Sequence, residues 1–203
     1  MKTVRHIIHI LKTHKYLTGI ILLCALNIII RIPFLNLPAI GDESIYYNGV
    51  LKVLNNNLNP FIEFRSYKPP VIFWLMALLF KTFSPSRIIA HLTIYLFSSC
   101  ALYFVYAIGK KIRSEQVGFC AALLLFVTPV FASQSMLFMD SIIISAILYM
   151  TVFAYLSKRK ALYVIFCSIL VLTKEPEIFV PFILFFSSLY VLWKDRTLTV
   201  KGI

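Results

Sequence analysis

Charge is the first thing this sequence is short of. Only 14% of its 203 residues are Asp, Glu, Lys or Arg, and just 8 are acids. Soluble globular domains carry roughly 25% charged residues, so that class is excluded at the outset. The chain also lacks any Gly/Ser-rich or Pro-rich linker, internal repeat or low-complexity tract, which predicts one domain over residues 1–203. Cysteine is scarce too. Cys24, Cys100, Cys120 and Cys167 each sit inside an apolar run, without CxxC spacing or a neighbouring histidine cluster. They read as small buried hydrophobes, not as a disulfide framework or a metal site.

What the chain has in abundance is apolar surface: 60% hydrophobic residues and a mean hydropathy of +0.87. Several uncharged runs are long enough to cross a hydrocarbon core, which needs roughly 20 apolar residues. The net charge of +12 is carried in short basic clusters between these runs. Such clusters fix the orientation of a polytopic membrane protein, and they argue against a nucleic-acid partner. The expected fold class is therefore all-α: a polytopic membrane helix bundle of about six spans, with interfacial helices in its first outer loop.

Lys2, Arg5, Lys12 and Lys15 precede an apolar stretch that continues through Arg31-Ile32-Pro33-Phe34. A secretory signal begins in the same way, but no small-x-small cleavage site follows. An uncleaved first span over 16–34 with a cytoplasmic N-terminus is expected. Residues 41–86 then form the first outer loop. Within it Ile45, Val50, Leu51 and Leu54 fall near helical spacing and predict a short helix lying on the interface. Asn55-Asn56-Asn57-Leu58-Asn59-Pro60 ends that helix.

The run 71–83 is ambiguous by length, and charge parity decides it. If it stays in the outer interface, the clusters Lys110-Lys111-Ile112-Arg113 and Lys158-Arg159-Lys160 fall on the same side as the N-terminus. The inner side then holds 13 Lys/Arg and 2 acids, the outer side 7 and 6, which together account for the 20 basic and 8 acidic residues. If 71–83 spanned, the basic clusters would lie outside. Five further spans over 87–193 are expected, and the run 161–173 is the shortest, so Lys160 and Lys174 would have to snorkel. As a consequence of this parity, Asp42, Glu43, Lys68, Asp140, Lys174 and Glu175 all emerge on one outer face.

Two readings of these residues stand together. Asp42 or Ser44 suits a helix N-cap and Glu43 its first turn; Asp140 likewise suits the start of a span at 141–157. Alternatively, carboxylates from separate elements facing one cavity divide the roles of general base and substrate orientation. Lys68 precedes Pro69-Pro70, which stiffen the chain and set the direction of the next helix. Lys174 precedes Pro176 and suits either a lipid phosphate or a helix anchor.

With Tyr67-Lys68-Pro69-Pro70 the chain resembles the N-terminal part of the C-type integral-membrane glycosyltransferases, close to the protein O-mannosyltransferase and lipid A aminoarabinose-transferase group. The matching pieces, in order, are Arg31-Ile32-Pro33, Asp42-Glu43 with Tyr46, Lys68-Pro69-Pro70 followed by Trp74-Leu75, Asp140 after an apolar run, and Leu172-Thr173-Lys174 before Pro176. They extend over roughly residues 28–193. His91, Ser135 and Glu175 depart from the family pattern, which often has arginine at or near the first two positions and glycine at the third.

The resemblance implies a multi-pass protein of the cell membrane that transfers a sugar from a polyprenyl-phosphate donor to a hydroxyl or phosphate acceptor on the extracytoplasmic face. Among the implied catalytic residues Asp42, Glu43 and Asp140, Asp42 is the base and Asp140 a second, orienting carboxylate. Lys68, Arg65 and Lys174 hold the donor phosphate, while Tyr46 and Tyr67 contact substrate. No residue is assigned to a metal, and a divalent ion as cofactor stays open. The sugar and the acceptor are not specified. Relatives of this kind usually continue with further spans, so a fragment, a minimal homologue and a subunit completed by a partner chain are all compatible with the length. The competing functions are a transporter or flippase of lipid-linked sugar and a non-catalytic partner subunit.

Overall fold

A computed structural model of the chain describes residues 15–59 and 70–200, the side chains at 191, 192 and 195–200 excepted. Among the described residues all regular structure is helical. Helix α1 covers Lys15–Ile29 and ends in a 3-10 turn, Ile32–Phe34, with α2 at Asp42–Asn55 and α3 at Val71–Phe83. Helix α4, Arg87–Ile112, is the longest and forms the spine. Helices α5 (Glu115–Val127) and α6 (Pro129–Gln134) come next, followed by α7 (Asp140–Leu156) and α8 (Lys160–Val171). A 3-10 turn at Glu175–Ile178 leads into α9, Phe179–Val200.

The spine packs against α1, α5 and α7, and α2 lies on α3. The turn between α4 and α5 is close enough to demand glycine. A Cβ on Gly118 would lie 2.2 Å from the Tyr106 carbonyl oxygen, and one on Gly109 would lie 2.5 Å from the Gly118 Cα. Small residues that let backbones touch are a common way to join helices where lipid offers no hydrophobic drive.

The exposure pattern is inverted relative to a soluble protein. Leu22, Leu124, Val130, Phe182, Ile183 and Phe186 are among the large apolar side chains left outside the bundle, while Asn27, Arg31, Glu43, His91 and Asp140 are buried. An apolar exterior of this kind suits a lipid environment. Two stretches, Lys15–Phe34 and Arg87–Ile112, are long and apolar enough to cross a membrane. Four more apolar helices, α3, α5, α7 and α8, are shorter, at 12 to 17 residues. The uncharged stretch 116–139 is divided at Thr128-Pro129, where proline starts a new short helix and cannot continue the old one.

Two expectations change in detail. The free cysteines are not uniformly buried: Cys167 is, Cys24 and Cys100 are half-buried, and Cys120 is exposed on α5. The N-cap of α2 is Gly41, with φ 61°, and neither Asp42 nor Ser44. The Ser44 hydroxyl instead donates back to the Gly41 carbonyl at 2.7 Å. At α7 the cap is Met139, so Asp140 is the first helical residue.

The helices run so that the basic clusters gather at one end. Tyr16 at the start of α1 meets Phe119 at the start of α5, and Phe104 late in α4 meets Phe153 late in α7. These contacts draw Lys15, Lys110 to Arg113, and Lys158 to Lys160 toward one end. The opposite end collects the starts of α2, α4 and α7.

Candidate functional site

At that opposite end α2 presents one face to the bundle and the other to the outside. Glu43, Tyr46, Val50 and Val53 recur at spacings of three and four and are all buried. Val50 therefore joins the core as its spacing predicts, whereas Ile45 is 53% exposed. Gly49 lets Phe73 of α3 approach, since a Cβ there would meet the Phe73 ring at 2.6 Å. Phe73 in turn stacks on Tyr46 with ring centroids 5.6 Å apart. The phenol is thereby held against the start of α7, where its hydroxyl hydrogen-bonds Asp140. Burial pushes the Tyr46 hydroxyl above the usual phenol range, and the negative charges of Asp140 and then Asp42 add to the shift.

Asp140 is 8% exposed, a costly place for a carboxylate without partners. Among the described residues it has two: Tyr46, and the Lys174 ammonium at 3.3 Å. Lys174 itself stays half open, with 45% of its side chain accessible. Sequence reasoning left this lysine between a lipid-phosphate role and an anchor; the structure gives it a carboxylate partner and an open side.

The adjacent carboxylates of α2 differ sharply. Asp42 is exposed, whereas Glu43, one residue on, is 5% exposed and turned inward. Its Oε1 accepts from the Phe138 amide at 2.7 Å and lies 2.7 Å from His91 Nε2. The other ring nitrogen of His91 meets the Leu35 carbonyl at 2.8 Å. Alongside this pair, Arg31 is 1% exposed and donates to the Asn27 carbonyl at 2.7 Å and to the Ser135 hydroxyl at 2.8 Å. Ser135 passes a hydrogen bond on to the Phe131 carbonyl. Of the three positions that depart from the family pattern, His91 thus pairs with Glu43 and Ser135 with Arg31.

The structure brings Asp42, Glu43, Tyr46, Asp140 and Lys174 to one end of the bundle. Arg65, Tyr67 and Lys68 lie outside the described residues. Sequence reasoning missed His91 as a partner of Glu43 and did not separate Asp42 from Glu43. Counting back from Tyr46, Val50 and Val53 would have marked Glu43 as the inward acid. Among the described residues no three His, Cys, Asp or Glu side chains gather as a metal ion would require.

A helical, outwardly apolar bundle with carboxylates and a lysine held at one end suits a membrane protein with a polar site at one surface. Residues 67–203 match the dolichyl-phosphate-mannose-protein mannosyltransferase family. The chain belongs to that family, and so to the membrane glycosyltransferases of the C type. The matched region contains His91, Asp140 and Lys174, while Asp42, Glu43 and Tyr46 precede it. No curated protein and no solved structure matches the chain.

Proposed function

We propose that the chain transfers a sugar from a polyprenyl-phosphate donor to a hydroxyl acceptor at the extracytoplasmic membrane surface. The observation that carries this reading is the meeting of Asp42 and Tyr46 from α2 with Asp140 and Lys174 from two other elements. Family membership supplies the reaction class.

The chemistry follows from which groups are free. Asp42 is exposed beside the buried network, so it can accept a proton from an acceptor hydroxyl, and it is the base. The acceptor oxygen attacks the anomeric carbon as the bond from that carbon to the phosphate oxygen breaks. The bonding electrons leave on the polyprenyl phosphate, which is already a weak base and needs no acid. Cations stabilise it: Lys68 and Arg65, with the open side of Lys174. Asp140, anchored by Tyr46 and Lys174, orients acceptor or sugar. Glu43 is too enclosed to reach a substrate and acts through the chain that carries Asp42.

Orientation follows from charge. The end holding Lys15, Lys110, Lys111, Arg113 and Lys158 to Lys160 is assigned to the cytoplasm by the positive-inside bias, which leaves the carboxylate end outside. The six-span arrangement requires α5, α7 and α8 to cross despite their lengths, with Lys160 and Lys174 reaching the two interfaces.

The test is transfer itself. Membranes containing the chain and its native neighbours, given polyprenyl-phosphate-mannose and a hydroxylated acceptor, should form a mannosylated product and free polyprenyl phosphate. Impermeant thiol reagent added from outside should label a cysteine placed at position 174 and spare one at 111. Absence of product sinks the transfer reading, and the reverse labelling pattern sinks the orientation.

A further inference from the structure

His91 stands where four segments meet, and its hydrogen bonds count out a proton. The Leu35 carbonyl can only accept, so Nδ1 donates to it across 2.8 Å. Nε2 lies 2.7 Å from Glu43 Oε1, an oxygen that also accepts the Phe138 amide. A neutral imidazole has one N–H, and here it is committed to Leu35. The contact with Glu43 therefore requires a second proton, on Nε2 or on the carboxyl. Both side chains are enclosed, at 3% and 6% accessible, so water does not substitute for the missing hydrogen.

The geometry points to His91 as a positioning residue for sugar transfer: a proton-dependent clamp that fixes Asp42 relative to Asp140. Glu43 is the peptide neighbour of Asp42, and Phe138 lies two residues before Asp140. One carboxylate oxygen thus ties α2 to the turn that starts α7, and His91 ties both to α4 and to the segment after α1. Without the shared proton a nitrogen lone pair faces a carboxylate oxygen, and the four segments lose their common fastening.

The groups facing His91 narrow the source of any pH effect. On its own helix Tyr95 stacks against it, with centroids 6.4 Å apart, and Arg87 lines the same crevice. Helix α2 contributes Glu43 and Tyr47, the turn before α7 contributes the Phe138 amide, and Arg31 lies beyond Tyr95. The arginines keep their charge throughout. Helix α3 brings only the exposed Lys81 among its charged side chains.

The inference rests on Asp42 and Asp140 acting as proposed, so the experiment reads the clamp in two ways. Transfer is measured from about pH 6 to 9, below the ordinary phenol range. The melting temperature of the purified chain in detergent is followed over the same range. The parent should lose both rate and melting temperature as pH rises. His91→Arg, with a permanent charge and several donors, should remove both basic-side declines. His91→Ala should lower kcat about 100-fold with little change in KM, the cost of about 1 Å of misplacement. If His91→Arg does not fold, His91→Gln, neutral at every pH, should likewise lack the declines.

A flat parent profile, an unchanged decline in the variant, or His91→Ala that transfers like the parent overturns the clamp. A chain that shows the melting behaviour but transfers no sugar keeps the clamp and removes the functional reading instead.

Discussion

The two ends of the bundle hold charge in opposite ways. At the acidic end Glu43 and Asp140 are buried, and each meets two partners from distant parts of the chain. At the basic end Lys110 and Glu115 form a 2.6 Å pair five residues apart, with 51% and 36% of their side chains accessible. Water and salt screen such a pair, so it stabilises little. The buried contacts are screened far less, and a buried donor or acceptor that loses its partner carries a desolvation cost that an exposed one escapes. Charge at one end therefore fixes geometry, whereas at the other its role is the membrane orientation proposed above.

The largest effect expected from breaking this contrast is at Asp42, the one carboxylate of α2 left accessible. Asp42→Asn should reduce transfer by about 10²–10⁴-fold, the usual share of general acid–base catalysis. The melting temperature should scarcely move, because Gly41 and not Asp42 caps α2 and the Asp42 side chain is exposed. A folded Asp42→Asn chain with parental rate would remove the base and leave Asp140 as the next carboxylate to examine.

The basic end has one feature where a substitution should cost as much as any at the site, and it involves packing and not charge. Gly118→Val places side-chain atoms against the Tyr106 carbonyl and the Lys110 amide. Backbone cannot yield as a flexible side chain can, so the α4–α5 hairpin must open, at a cost of about 1–3 kcal/mol or more. Thermal unfolding in detergent checks this, and an unchanged melting temperature would mean that the hairpin is looser than described.

How legible all this was depended on the kind of signal. The helices follow from apolar runs and their breakers, and Pro129 marks the division of the 116–139 run once proline is weighed above hydrophobicity. Charge parity alone gathered Asp42, Asp140 and Lys174 at one end. It could not tell Asp42 from Glu43, because neighbours in sequence point about 100° apart on a helix and only the phase of the buried face separates them. His91 stood out only as a departure from the family pattern; its role was not legible, since a lone histidine in an apolar run is silent until its partners, 48 and 56 residues earlier, are known. The inward turn of Arg31 was hidden for the same reason: its side-chain partner Ser135 is 104 residues away.

A milder change sharpens the acidic end. Tyr46→Phe keeps the stack on Phe73 but deletes the hydroxyl that reaches Asp140. A hydrogen bond to a charged group contributes about 1.5–3 kcal/mol, and Lys174 remains to hold the carboxylate. Transfer should fall by about 10-fold, with the loss in kcat if Asp140 orients the reacting groups and in KM if Tyr46 itself binds substrate. Steady-state kinetics on the folded variant distinguishes the two, and an unaltered rate would show that Lys174 alone suffices to place Asp140.

The smallest effect should come from Lys110→Ala, which removes the exposed pair with Glu115. Lys110 and Glu115 sit on either side of the α4–α5 turn, but the turn is already fixed by the contact of Gly109 with Gly118 and by the Arg113 and Ser114 amides, both donating to the Gly109 carbonyl at 3.0 and 3.3 Å. Removing the lysine leaves Glu115 in the first turn of α5, where a carboxylate is favoured by the helix dipole, so the survivor is not stranded. Stability should change by less than about 0.5 kcal/mol, and less still in high salt. Transfer should be unchanged, since Lys110 lies near the far end of α4 from His91. A marked loss of activity with an unchanged melting temperature would break the division of labour between the ends, because the basic end would then be acting on the reaction and not only on orientation.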